Sequence, residues 1–192
     1  MGRQSKRINL IWQIAAVFLL LAGNGQTAEI KGVKFTDHLL IDQTAMHLTG
    51  VAVLNWALFF DVYAGALYLP QGVAGESWAE NIPKRLVFHY LRSFAAEDFA
   101  ISSDKLLREN LSATEYEDLA ARLQEFYQLF RDIKPGDRYS LTYRPAVGTE
   151  LRLNGELLGV TPGADFALAY YGIWLGPTPL DEVFRDRLLA SD

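Results

Sequence analysis

The sharpest period-two stretch of the chain begins at Leu58, where Leu58, Phe60, Val62, Ala64 and Ala66 point one way and Phe59, Asp61, Tyr63, Gly65 and Leu67 the other. Both sets are largely apolar, which predicts a central strand ending at Leu69. Residues 29–35 and 39–42 read as short strands, 45–53 continues the alternation, and 85–92, rich in Val, Phe and Tyr, is another strand. Between them, 70–75 reads as a turn and 76–82 as a short helix. The period then changes. Residues 99–111 are helical in pattern, and Ser112-Ala-Thr-Glu115 is a capping box that opens the longest helix. Its apolar stripe is Tyr116, Leu119, Ala120, Leu123, Phe126, Tyr127, Phe130 and Ile133, and Pro135-Gly136 stops it. Strands are predicted at 137–144 and 147–153, and Asn154-Gly155 favours a two-residue type I′ turn with 156–160 as the return strand.

Near the C-terminus Phe166, Tyr170, Ile173 and Trp174 recur at helical spacing. Gly176 is placed to cap that helix in the left-handed conformation, and Pro177 forbids its continuation. A further helix is predicted at once, with Thr178 as N-cap, Pro179 at the first position and Asp181 three residues past the cap. Its inner face is then Val183, Phe184, Arg187 and Leu188. Strands, a long helix, strands and then helices imply an α+β fold with an antiparallel sheet, because a parallel sheet needs a crossover after nearly every strand.

The first residues change the picture of where the protein works. Residues 1–7 carry Arg3, Lys6 and Arg7 with no acid, and 8–22 are mostly apolar with an uninterrupted core at 14–22. This is the pattern of a secretory signal peptide, residues 1–28, with cleavage between Gly23 and Ala28 and a single domain over 29–192. Asn9 and Gln13 interrupt the run, which falls short of the roughly 20 residues a spanning helix needs. The expectation is a soluble periplasmic protein with no stable membrane span after cleavage. The chain has no cysteine, which excludes lipid attachment through an N-terminal cysteine, disulfides and thiolate metal sites. Losing the three basic residues of the leader takes the net charge from −5 to −8. Lys and Arg do not cluster, so nucleic acid is not an expected partner.

His38, His47 and His89 are the only histidines and none has a partner at helical ligand spacing, so no metal site is predicted. His89, mid-strand between Phe88 and Tyr90, reads as structural. No Gly-x-Ser-x-Gly elbow, glycine-rich phosphate loop or dinucleotide fingerprint is present, so no catalytic residue and no cofactor is predicted. What remains is a set of strand residues: Tyr63, Tyr68, Tyr90, Arg92, Tyr139, Tyr143 and Arg144. An Arg at the rim of an apolar pocket can hold a carboxylate or phenolate bidentately, and a Tyr hydroxyl supplies a directional hydrogen bond. The same residue types also pack sheets, and a strand-end Arg also snorkels to water. Arg92 is the first candidate for a ligand's charge and Tyr63 for a hydrogen bond, with Tyr90 and Asn55 completing the ligand-binding set.

Phe60-Asp-Val-Tyr-Ala-Gly-Ala-Leu-Tyr-Leu69 and the pattern formed by Phe166, Ala169, Ile173, Trp174, Leu175, Gly176, Pro179 and Asp181 resemble the chalcone isomerase-like proteins of bacteria, a family usually described as exported. The resemblance spans about residues 33–189. It implies an antiparallel sheet covered on one face by helices, an open-faced β-sandwich, with an apolar cleft between the layers. That fold hosts plant chalcone isomerases, fatty-acid-binding relatives and many members with no established reaction. The Arg that the plant isomerases and the fatty-acid-binding relatives use falls on Leu54 or Asn55, the isomerases' Thr near Tyr63, and their active-site Tyr at Phe99. Loss of one electrostatic donor costs on the order of several kcal/mol of transition-state stabilisation. The resemblance, with these departures, therefore implies a non-catalytic domain that binds a small apolar or amphipathic molecule, or a protein partner, between sheet and helices. Two alternatives stand beside it: an isomerase or intramolecular lyase with a different constellation, and a ligand-free envelope component.

Overall fold

The computed structural model describes residues 27–56 and 60–190. Of the predicted signal peptide all but Thr27 and Ala28 lies outside the described residues, as do Leu58 and Phe59 of the predicted central strand. Seven antiparallel strands form one sheet in chain order: β3 (His38–Ile41), β4 (Thr44–Trp56), β5 (Phe60–Pro70), β6 (Lys84–Tyr90), β7 (Arg138–Arg144), β8 (Gly148–Leu153) and β9 (Glu156–Thr161). Before them β1 (Thr27–Ile30) and β2 (Val33–Thr36) make a separate hairpin. Helices α1 (Ala96–Asn110) and α2 (Ala113–Tyr127) lie between β6 and β7 in sequence, and α3 (Ala164–Leu175) and α4 (Glu182–Leu189) follow β9.

Several local signals act as expected. Ser112 caps α2, accepting from the Glu115 N–H while the Glu115 carboxylate accepts from the Ser112 N–H at 2.9 Å. Asn154 and Gly155 take φ of 52° and 88°, the two positive values a type I′ turn demands. Others are overridden. The single strand expected at 29–35 is broken into β1 and β2 by Lys31 and Gly32, both at positive φ. The α2 stripe stops at Tyr127; Phe130 and Ile133 are buried from the irregular segment beyond it, where Ile133 exchanges backbone hydrogen bonds with Phe94. The helix expected at 76–82 is a 3₁₀ turn, Gly75–Ala79.

Two corrections concern the last helices. Gly176 is not left-handed, since its φ is −74°; glycine is required there because a Cβ would sit 2.6 Å from the Gly172 carbonyl oxygen. Asp181, not Thr178, caps α4, its Oδ1 accepting from the Phe184 N–H at 2.7 Å. Thr178 instead donates its hydroxyl hydrogen to Asn110 Oδ1 at 2.6 Å. Phe184 and Leu188 are buried as expected, but Val183 and Arg187 face solvent.

Helices cover one face of the sheet. Tyr63, Leu67, Leu86, Phe88, Tyr90 and Leu141 point into that layer and meet Leu123 and Phe126 of α2 and Phe166, Tyr170 and Ile173 of α3. Tyr171 pins α3 to the strands: its hydroxyl accepts from the Tyr143 N–H at 3.1 Å and donates to the Leu141 carbonyl at 2.9 Å. Helix α4 lies across β4 so closely that a Cβ on Gly50 would fall 2.2 Å from the Arg187 carbonyl oxygen and 2.7 Å from that of Leu188. Backbone cannot yield as a side-chain tip can. Gly50→Ala is therefore expected to displace α4 and cost about 1–3 kcal/mol in urea unfolding; a loss under about 0.5 kcal/mol would show that α4 has room to move.

The opposite face carries a second, smaller core. Val53, Ala64, Ala66, Tyr68 and Val87 of the sheet pack with Val33 and Phe35 of β2 and with Ile41 and Met46. The hairpin thus lies over part of the face that the helices leave uncovered.

Candidate functional site

The space between sheet and helices, where a ligand was expected, is occupied by aromatic rings. Tyr63 packs edge-on against Phe88, Tyr90 and Phe184 at centroid distances of 5.1–5.5 Å. Phe99 stacks on Phe130 at 5.2 Å, and Phe126 meets Tyr170 at 4.7 Å. Such edge and offset contacts each add about 0.5–1.5 kcal/mol beyond burial. A ligand between the layers would have to break several of them.

The four predicted ligand-binding residues separate into two pairs. Tyr63 and Tyr90 are buried side by side in the aromatic layer, 5.4 Å between ring centroids. The Tyr63 hydroxyl accepts from the indole N–H of Trp174 at 2.9 Å, and burial pushes both phenols above their ordinary range. Asn55 and Arg92 are exposed at the rim and converge on Asp61: the Asn55 amide donates to its Oδ1 at 2.6 Å and Arg92 Nε to its carbonyl at 3.1 Å. The Arg92 guanidinium also lies 4.9 Å above the Phe60 ring. Leu54, the other position equivalent to the isomerase Arg, packs against the main core, and Phe99 adds its ring to the aromatic layer.

Of the other strand residues singled out, Tyr139 and Tyr143 point to the helices while Tyr68 and Arg144 point to the opposite face. That face carries two cavities. One, about 570 Å³, lies between the β1–β2 hairpin and strands β5 to β7. Phe35, Leu39, Tyr68 and Val87 give it apolar lining and Arg85 and Arg138 positive charge; Lys34 also borders it, but its ammonium pairs with Glu29 at 3.8 Å. A second, about 320 Å³, adjoins it over β6 to β8; both are lined by Arg85 and Gly155.

Local geometry fixes these cations. Arg138 Nε donates to His89 Nδ1 at 3.1 Å and its Nη2 to the Lys34 carbonyl at 3.1 Å, while the guanidinium sits 5.3 Å from the Phe35 ring centroid. It thereby ties the hairpin to the sheet. Burial, followed by the Arg138 charge, lowers the His89 pKa. Arg85 Nη2 donates to Ser140 Oγ at 3.2 Å, and burial lowers the Arg85 pKa. The signal for this face is present in the sequence as period two: Arg85, Val87 and His89 alternate with Leu86, Phe88 and Tyr90, and Arg138, Ser140, Thr142 and Arg144 with Tyr139, Leu141 and Tyr143. Among the described residues no group of three or more His, Cys, Asp or Glu side chains is placed to hold a metal ion.

Residues 27–190, which include every described residue, match the family described as chalcone isomerase-like. The chain belongs to that family. A crystal structure of a fatty-acid binding protein of Arabidopsis thaliana has a similar fold, with a TM-score of 0.66 over 85% of this chain and 96% of that one at 15% sequence identity. No curated protein matches the chain. For this chalcone isomerase-like chain the fold agrees with the sequence expectation, an antiparallel sheet with helices on one face. Among the described residues no helix is long and apolar enough to cross a membrane.

Proposed function

We propose that the protein is a non-catalytic, exported binding protein for a small amphipathic molecule with an anionic end, held under the β1–β2 hairpin rather than between sheet and helices. The observation that carries this is the cavity of about 570 Å³, lined by apolar Phe35, Leu39, Tyr68 and Val87 together with the cations Arg85 and Arg138. An apolar body with one anionic group uses both kinds of lining, and a few placed polar groups in an otherwise apolar cavity set a ligand's orientation. The fatty-acid binding neighbour supports a ligand of this kind. The absence of Arg at Leu54 and Asn55 weighs against isomerisation, and equally against an anionic head held at that strand as in the fatty-acid-binding relatives, so the anion's partners are sought on the other face.

Export rests on the leader pattern, and an intact β1 favours an earlier cleavage site. Thr27 and Ala28 pair with Thr36 and Phe35, so cleavage between Gly23 and Gln26 keeps β1 whole and cleavage after Ala28 removes two of its four residues. N-terminal sequencing from a periplasmic extract checks both points; an intact Met1 form in membranes would overturn export.

Dodecanoate added to the purified chain should bind as a single saturable event in titration calorimetry, and native mass spectrometry should retain it. Arg92→Ala, at the rim and spent on Asp61, should leave the affinity unchanged. No binding of any amphipath would sink this reading, and loss of binding in the Arg92 variant would return the ligand to the layer between sheet and helices.

A further inference from the structure

The second cavity has a donor surplus that its own residues do not meet. Its polar lining is Asp42, Arg85, Thr142, Arg144, Glu150 and Arg152. Register brings them together: Arg85 pairs with Thr142, Thr142 with Glu150, and Arg144 and Arg152 each lie two residues further along their own strands on the same face. Glu150 is buried, bonded to Arg144 Nη2 and, at 3.1 Å, to Arg152 Nε, while Asp42 holds Arg144 Nη1 at 3.1 Å. Three guanidiniums thus face two carboxylates, leaving one positive charge in excess. The Nε atoms of Arg85 and Arg144 are both buried and meet no acceptor among the described residues. A buried donor left unmade is unfavourable, and a charged one more so.

We propose that this second cavity is a binding site for a singly charged oxyanion, a carboxylate, whose two oxygens accept from Arg85 Nε and Arg144 Nε. One negative charge matches the excess. Two acceptor oxygens match the two unmet donors, one from each guanidinium, and each contact is a charge-assisted hydrogen bond. A dianion such as a phosphate monoester would leave net negative charge beside buried Glu150. Arg85 also lines the larger cavity, so a carboxylate seated here can be a free small acid or the head of the amphipath whose tail lies along Phe35 and Val87. That second source rests on the function proposed above; the anion site itself does not.

The test uses acetate as the free anion and dodecanoate as the amphipath. In spectra of arginine Nε–H groups, the Arg85 and Arg144 signals should shift saturably with acetate, and inorganic phosphate should be the weaker ligand at pH 8. Arg85→Lys and Arg144→Lys keep the charge that balances Glu150 but lack Nε; each should weaken acetate binding about 10-fold to 150-fold. If the amphipath's head sits here, dodecanoate weakens in parallel and displaces acetate. If acetate weakens and dodecanoate does not, the site takes free acids only and the amphipath's anion belongs with Arg138. Unmoved Arg85 and Arg144 signals in the wild-type chain would overturn the proposal whether or not the variants fold. Dodecanoate bound with those signals unmoved would overturn it while leaving the function above intact.

Discussion

Phe126→Ala is expected to lower stability by about 3–5 kcal/mol, the cost of removing a fully buried aromatic ring and leaving a cavity. Phe126 has no exposed surface and meets Phe130, Phe166 and Tyr170 at 5.6, 5.2 and 4.7 Å between centroids. It therefore joins α2 to α3 and to the segment leading into β7. The rings around the gap are rigid and come from separate elements, so they cannot collapse into it cheaply. Since domains are stable by only about 5–15 kcal/mol, the variant should show a large drop in the midpoint of urea unfolding. A loss under about 1 kcal/mol would mean that the layer between sheet and helices is loosely packed, and a ligand there would again be admissible.

Lys84→Met is expected to do the opposite at neutral pH. Lys84 is almost wholly buried on the helix face of β6, its ammonium donating to the Glu80 carbonyl at 2.8 Å and lying 5.2 and 5.8 Å from the Tyr143 and Tyr171 ring centroids. Burial lowers its pKa from 10.5 to about 8, partly offset by the Glu80 charge. The folded value lies below the unfolded one, so between about 8 and 10.5 the unfolded chain binds more protons and stability rises with pH. At pH 7 the burial costs up to roughly 3–4 kcal/mol, at about 1.4 kcal/mol per pH unit of displacement. Methionine fills similar space without the charge. Unfolding measured at pH 7 and pH 10 should show the variant ahead at the first and the gap narrowed at the second. A variant less stable at both would mean that the two tyrosine faces and the carbonyl outweigh the burial cost.

The sequence made the elements legible where one local signal had no rival. The Ser112–Glu115 box and the Asn154-Gly155 turn each involve residues that contact one another within the same few positions, and both form as expected. Thr178 shows the limit: it had good capping neighbours, but a partner on α1, Asn110, claims its hydroxyl and Asp181 takes over the cap. Phe130 and Ile133 kept the α2 period by chance of spacing while being buried from irregular backbone. The candidate site was half legible. Alternation marks Arg85, Arg138 and Arg144 as one face, but only the register across β6, β7 and β8 puts them beside Glu150 and Thr142. Tyr63 and Tyr90 carry the chemistry a ligand site wants and are instead consumed in packing, a distinction that depends on rings from α1, α3 and α4.

Because strand order follows chain order, the sheet is two meanders, β3 to β6 and β7 to β9, joined along one seam between β6 and β7. Both cavities straddle it: Tyr68, Arg85 and Val87 come from one side, and Ser140, Arg144 and Glu150 from the other. Neither half of the sheet holds a site alone. A molecule seated there touches both, so it acts as a clasp on the one line along which the two halves of the sheet could part.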